Sequence, residues 1–116
     1  MVSGKCREKG MKVTIITVCF NSEKTISKCI DSVMSQDYSN LEYVVIDGGS
    51  KDNTCKLVEN YGQRIAHFVS EPDKGIYDAM NKGLAVATGD VIGFLNSDDF
   101  FSADNVLSRV IEEFDK

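Results

Sequence analysis

The sequence predicts an α/β fold: a three-layer, open, mainly parallel sheet with helices on both faces. Three observations predict it. β-Branched apolar runs alternate four times with amphipathic stretches, the connections are short, and polar and acidic residues gather where the apolar runs end. Alternation of this kind closes into a parallel sheet through right-handed crossovers.

The first strand is predicted over residues 13–20, apolar on both faces as a central strand must be. It stops at Asn21 and Ser22, which can cap a helix. Ile26, Cys29, Ile30, Val33 and Met34 then recur at helical spacing. Residues 41–46 form a second strand, followed by the turn Asp47-Gly48-Gly49-Ser50. Asp52, Asn53 and Thr54 can cap a helix carrying Leu57, Val58 and Tyr61. A short third strand is expected over residues 64–69. Ile76, Met80, Leu84 and Ala87 mark the apolar face of a third helix, closed by Gly89. Residues 91–95 read as a fourth buried strand ending in Asn96-Ser97-Asp98-Asp99. Ser102 opens a last helix, with Val106, Leu107, Val110, Ile111 and Phe114 expected inward.

A chain of 116 residues holds one modest domain. Residues 1–10 are polar and charged, without the apolar core of a signal peptide, and are expected to be a flexible tail before a domain over residues 11–116. Met11 is an alternative start. The longest apolar run is too short to cross a membrane. A net charge of −5 argues against non-specific nucleic-acid binding. An anionic ligand stays compatible with it, because carboxylates can hold a divalent cation that attracts one. Cys6, Cys19, Cys29 and Cys55 have no C-x-x-C spacing, so free thiols in a reducing cytosol are expected rather than disulfides or a zinc site. His67 is the sole histidine and sits within the third strand, where a structural role is expected.

In open α/β sheets, ligands bind beyond the carboxyl ends of the strands, where strand order reverses. Asp47 directly follows an apolar strand, so its carboxylate is expected to face that cleft. A carboxylate accepts hydrogen bonds only, which suits a base N–H or a ribose hydroxyl. Gly48 and Gly49 would let a ligand approach the backbone. A simple capping turn shared with Asp52 is the alternative. Asp98 and Asp99 are adjacent acids, unfavourable together unless a cation or donors compensate. Their hard oxygens suit Mg²⁺ or Mn²⁺, which also binds diphosphate; a solvated turn is the alternative. In the segment 73–81, Lys74 could contact phosphate, and Asp73 or Asp78 ribose or base. A solvated charge cluster over a core of Ile76 and Met80 is equally open.

Together these segments resemble the family-2 glycosyltransferases of the GT-A fold. Thr17-Val18-Cys19-Phe20-Asn21 is similar to that family's first strand and Asn turn, and residues 47–54 to its D-G-S-x-D-x-T segment. Residues 73–83 resemble the helix before its fourth strand. Gly89-Asp90 followed by Leu95-Asn96-Ser97-Asp98-Asp99 resembles its metal-binding D-x-D region. The four motifs stand in the family's order over residues 12–115.

The resemblance implies transfer of a sugar from a UDP- or GDP-sugar to a saccharide or lipid-linked acceptor, with inversion. It implies that Asp47 contacts the base, with Val18 and Phe20 lining that pocket and Asn21 and Gly48 beside it. It implies that Asp98 and Asp99 meet the metal and the ribose, although Asn96 stands where many members carry the first acid of D-x-D. It also implies a cytoplasmic location, membrane-associated in a longer protein, and a role in polysaccharide assembly. The family's general base lies well beyond the D-x-D region. A truncated or minimal donor-binding half is therefore expected, with the base beyond Lys116. A sheet cut short would leave an edge and apolar surface uncovered, so a homodimer is expected.

Other α/β classes fit less well. A nucleotidyltransferase would need a glycine-rich basic loop after strand one, where this chain has Asn21-Ser22-Glu23-Lys24. A receiver-like signalling module would place its acidic pair after strand one. A non-catalytic nucleotide-binding module remains the other alternative.

Overall fold

The computed structural model describes residues 11–114. The expected tail, Cys6 with it, and the last two residues lie outside them. The chain runs β1 (Val13–Cys19), α1 (Ile26–Met34), β2 (Leu41–Asp47), α2 (Thr54–Glu59), β3 (His67–Ser70), α3 (Ile76–Val86), β4 (Val91–Phe94) and α4 (Val106–Phe114). All pairings are parallel, in the order β3-β2-β1-β4. Among the described residues no helix is long and apolar enough to cross a membrane.

Two cores cover the two faces of the sheet. On one, Val13, Ile15, Tyr43 and Val45 pack with Ile26, Ile30 and Val33 of α1, Val58 of α2, and Leu107 and Ile111 of α4. On the other, Ile16, Val44 and Ile46 meet Ala79 of α3. Alternate residues of one strand feed opposite faces, so β1 and β2 are buried on both sides, as their continuous apolar runs require. Buried polar groups are paired within this frame: the Thr17 hydroxyl lies 2.8 Å from the Tyr43 hydroxyl.

Several boundaries and faces differ from expectation. β1 ends at Cys19, because Asn21 takes a left-handed φ of 48° and turns the chain. α1 starts only at Ile26: the Ser22 carbonyl accepts from the N–H groups of Thr25 and Ile26, forming a turn first. β3 starts at His67, since residues Gly62–Arg64 tighten into a 3₁₀ turn. β2 runs one residue further, through Asp47.

The buried face of α3 is Ala79 and Gly83, while Ile76 and Leu84 are 50% and 43% exposed. Close approach to the sheet is the reason: a Cβ on Gly83 would stand 2.6 Å from Ile16 Cγ2. In α4, Leu107 and Ile111 point inward, but Val110 and Phe114 are exposed. Ile92 and Phe94 of the edge strand β4 are exposed too, leaving apolar surface uncovered at that edge.

Candidate functional site

Because every strand is parallel, the loops after β1, β2, β3 and β4 emerge on one rim. Strand order reverses at β1, whose neighbours are β2 on one side and β4 on the other. A cavity of about 760 Å³ opens there, where an open α/β sheet offers a crevice. Its wall takes Val18, Phe20, Asn21 and Lys24 from the β1 end, Asp52 from the β2 loop, Asp73 and Ile76 from the β3–α3 connection, and Asn96, Ser97 and Asp98 from the β4 end.

Hydrogen bonds tie these loops together. Asn21 N–H donates to Ser50 Oγ at 2.7 Å, and Asn21 Oδ1 accepts from Lys51 N–H at 2.9 Å. Left-handed backbone is tolerated by Asn better than by most residues. The Ser22 and Ser97 hydroxyls lie 2.8 Å apart, linking the β1 and β4 ends. Asp52 accepts from Thr54 N–H at 3.0 Å and Glu23 N–H at 3.2 Å, so the capping role expected of it is real and it bridges two loops as well.

Asp47 does not face the cleft. It is 0% exposed. Its Oδ2 accepts from the N–H groups of Gly49 at 3.0 Å and Ser50 at 2.8 Å, from Ser70 Oγ at 2.9 Å and from Cys55 Sγ at 3.4 Å. Its Oδ1 accepts from the Ser50 hydroxyl and from Cys19 Sγ. Burial alone would favour the neutral acid, but the bonds from Ser50, Ser70 and Cys55 outweigh it and hold the carboxyl below its ordinary range. Burial, with Asp47 beside it, pushes the Cys19 thiol up, so the thiol stays a donor. Asp47 is the knot that fastens three loops, and the expectation that its carboxylate opens to the cleft is corrected.

Other sequence-derived candidates divide. Val18, Phe20, Asn21 and Asp98 line the cavity, whereas Gly48, Lys74, Asp78 and Asp99 lie outside its wall. Asp78 accepts from Lys74 N–H at 2.9 Å and stands 3.8 Å from Lys82 Nζ, so it ties the loop before α3 to the first turn of that helix. Asp98 and Asp99 sit in the exposed turn after β4, closed by Asp99 N–H donating to the Asn96 carbonyl at 2.9 Å. Lys24, Ser97 and Ile76 were missed as site residues. Their only signal was proximity to strand ends, which many residues share.

The sequence profile of the family described as glycosyl transferase family 2 matches residues 14–116. The chain belongs to that family. An uncharacterised glycosyltransferase of Mycobacterium tuberculosis is 41% identical to it over 101 residues, 86% of this chain and 38% of that protein. The chain thus spans well under half of that relative's length. S. aureus TarS 1-349 in complex with UDP-GlcNAc is similar at a TM-score of 0.83 and 31% identity, over 90% of this chain and 31% of that one. The mannosyltransferase PcManGT from Pyrobaculum calidifontis, in complex with GDP-Man and Mn²⁺, is similar at a TM-score of 0.81 and 28% identity, over 88% and 32%. The fold is therefore the GT-A arrangement.

In this chain no three carboxylate, thiol or imidazole groups converge on one point among the described residues. Asp98 and Asp99 offer hard oxygen donors, exposed beside the cavity. Such a pair fits Mg²⁺ or Mn²⁺, which characteristically takes one or two carboxylates and completes its shell with water and phosphate oxygens.

Proposed function

We propose that the cavity takes the nucleotide end of a nucleotide-diphospho-sugar, and that this chain is the donor-binding region of an enzyme transferring that sugar to an acceptor hydroxyl. The observation that carries it is the span of the cavity's wall. Apolar Ile76, from the connection after β3, and the exposed Asp98 turn after β4 come from opposite edges of the sheet, with Val18 and Phe20 of the β1 end between them. The β2 and β4 ends are separated by two strand spacings, about 10 Å, a span that a nucleoside diphosphate bridges and a lone phosphate does not. The related structures holding UDP-GlcNAc, and GDP-Man with Mn²⁺, support the same ligand class.

The roles follow from the residues. Val18 and Phe20 shield one face of the base from water. Ser22 and Ser97, joined by their hydroxyls, fix the distance between the β1 and β4 loops. Asp98, with Asp99 beside it, holds the divalent cation, and Lys24 adds positive charge on the cavity wall. The cation, when bound, neutralises charge developing on the departing diphosphate. Deprotonating the acceptor hydroxyl needs a general base, and no described residue is assigned to it. Inversion, and a saccharide or lipid-linked acceptor, complete the proposal for the whole protein.

Calorimetry with UDP, GDP and their sugars, with and without Mn²⁺ or Mg²⁺, tests the reading. Binding that depends on the cation is expected. No binding to any of them contradicts it.

A further inference from the structure

The loop after β3 brings a second carboxylate to the base end of the cavity, and a glycine makes room for it. An ideal Cβ on Gly48 would stand 2.7 Å from Asp73 Oδ2, 3.1 Å from its Cγ and 3.2 Å from its Oδ1. These are the three nearest atoms, and all belong to one side chain. Gly48 is also outside the left-handed region, unlike Gly49 at φ 91°. Its backbone therefore does not require glycine. What requires it is the space that the Asp73 carboxylate occupies.

That carboxylate is oriented and half available. Oδ1 accepts from Gly75 N–H at 3.1 Å, while Oδ2 has no hydrogen-bond donor among the described residues. Asp73 is half-buried and lines the cavity together with Val18, Phe20 and Ile76. The carboxylate expected to do this work, Asp47, is sealed beneath the rim with all its bonds made.

We propose that Asp73 is the base-reading residue of the donor site, accepting a ring N–H of the nucleobase through Oδ2, and that Gly48 is glycine to admit it. This deepens the donor-binding reading above and rests on it. An acceptor-only group selects a ring that presents an N–H at its pairing edge. Uracil and guanine do so. Cytosine and adenine present a ring nitrogen acceptor at that position, which an anionic oxygen repels. The site therefore prefers uridine or guanosine diphosphate to the cytidine and adenosine ones.

The test is calorimetry of this chain with UDP, GDP, CDP and ADP in Mn²⁺, for the wild type, Asp73→Asn, Gly48→Ala and the double variant Gly48→Asp/Asp73→Gly. Asparagine keeps an oxygen for Gly75 N–H, so the loop is retained and the readout is base preference rather than affinity alone. The wild type is expected to favour UDP or GDP over CDP and ADP by about tenfold or more, the scale of one charge-assisted hydrogen bond. Asp73→Asn collapses that preference to within about threefold, Gly48→Ala weakens it by displacing the carboxylate, and the double variant restores it from the β2 side. UDP uses and GDP uses of the site are separated by which of the two binds tighter. If UDP or GDP binds with Mn²⁺ and Asp73→Asn leaves the preference unchanged, the assignment of Asp73 is overturned while the donor reading stands. If no nucleotide binds at all, both fail together.

Discussion

The two rims of the sheet carry the same acidic chemistry and use it in opposite ways. At the N-terminal rim Glu42, near the start of β2, is 7% exposed. It accepts from the Thr14 hydroxyl at 2.8 Å, Thr88 N–H at 2.9 Å and the Thr88 hydroxyl at 3.0 Å. Lys12 Nζ stands 3.6 Å away and His67 Nε2 3.7 Å. Asp90 nearby accepts from Lys12 N–H at 2.8 Å. At the C-terminal rim Asp47 is closed in this manner, and Asp52 accepts from Thr54 and Glu23. Asp98 and Asp99 stand in an exposed turn, and Asp73 keeps one oxygen free. Acid residues at the first rim complete the fold, whereas at the second, among the described residues, Asp98, Asp99 and one oxygen of Asp73 keep no hydrogen-bond donor, beside a cavity. That contrast, more than the number of acids, marks the functional edge.

Asp47 is the fully buried carboxylate of its rim, and breaking it should have the largest effect. Asp47→Ala leaves the N–H groups of Gly49 and Ser50 and the hydroxyl of Ser70 without their acceptor. An expected loss of about 3 kcal/mol or more follows, read by urea unfolding. A loss below about 1 kcal/mol would show that the knot carries little of the stability.

Acid should loosen both rims. Burial works against ionisation of Glu42, but the bonds from Thr88 and Thr14 and the charge of Lys12 outweigh it, so its folded-state value lies below the ordinary 4.5. Asp47 likewise lies below its ordinary 3.8. A lowered carboxyl stabilises the fold fully above its unfolded value, and that stabilisation is lost as pH falls through the folded one. Stability should therefore hold near neutral pH and fall from about pH 4.5 downward. Urea midpoints that stay level from pH 6 to pH 3 would contradict the arrangement.

At the open rim, Asp98→Asn should separate binding from folding. The cation-dependent part of nucleotide affinity is expected to drop about tenfold or more, with stability within about 0.5 kcal/mol of wild type, because the side chain is exposed. The smallest effect belongs to His67, 43% exposed and at the edge of the Glu42 cluster. His67→Ala should cost less than about 0.5 kcal/mol and leave nucleotide binding unchanged.

How much of this was legible in the sequence depended on whether the cue was local. The strand at β1 and the helix at α1 were clear, since Val13, Ile15 and Ile16, then Ile26, Ile30 and Val33, repeat at the periods of their elements. The face of α3 was misread because Ala79 and Gly83 register weakly as apolar, although their smallness is what lets the helix lie close to Ile16. Asp47 was placed at the correct rim by its position after a strand. Nothing in its neighbourhood told that Ser70 and Cys55, distant in sequence, would converge on it. Gly48 looked like an opening for a ligand, whereas its neighbour is Asp73, 25 positions later by the chain numbering.

The account turns on where a metal-bound nucleotide sits, and Mn²⁺ line broadening in amide NMR spectra of the chain reads this directly. With UDP or GDP present, the signals of Asn21, Lys24, Ser97 and Asp98 should vanish at low Mn²⁺, while those of Glu42, His67 and Thr88 stay sharp. Broadening centred on Glu42 and Thr88, or the same pattern with and without nucleotide, would contradict it.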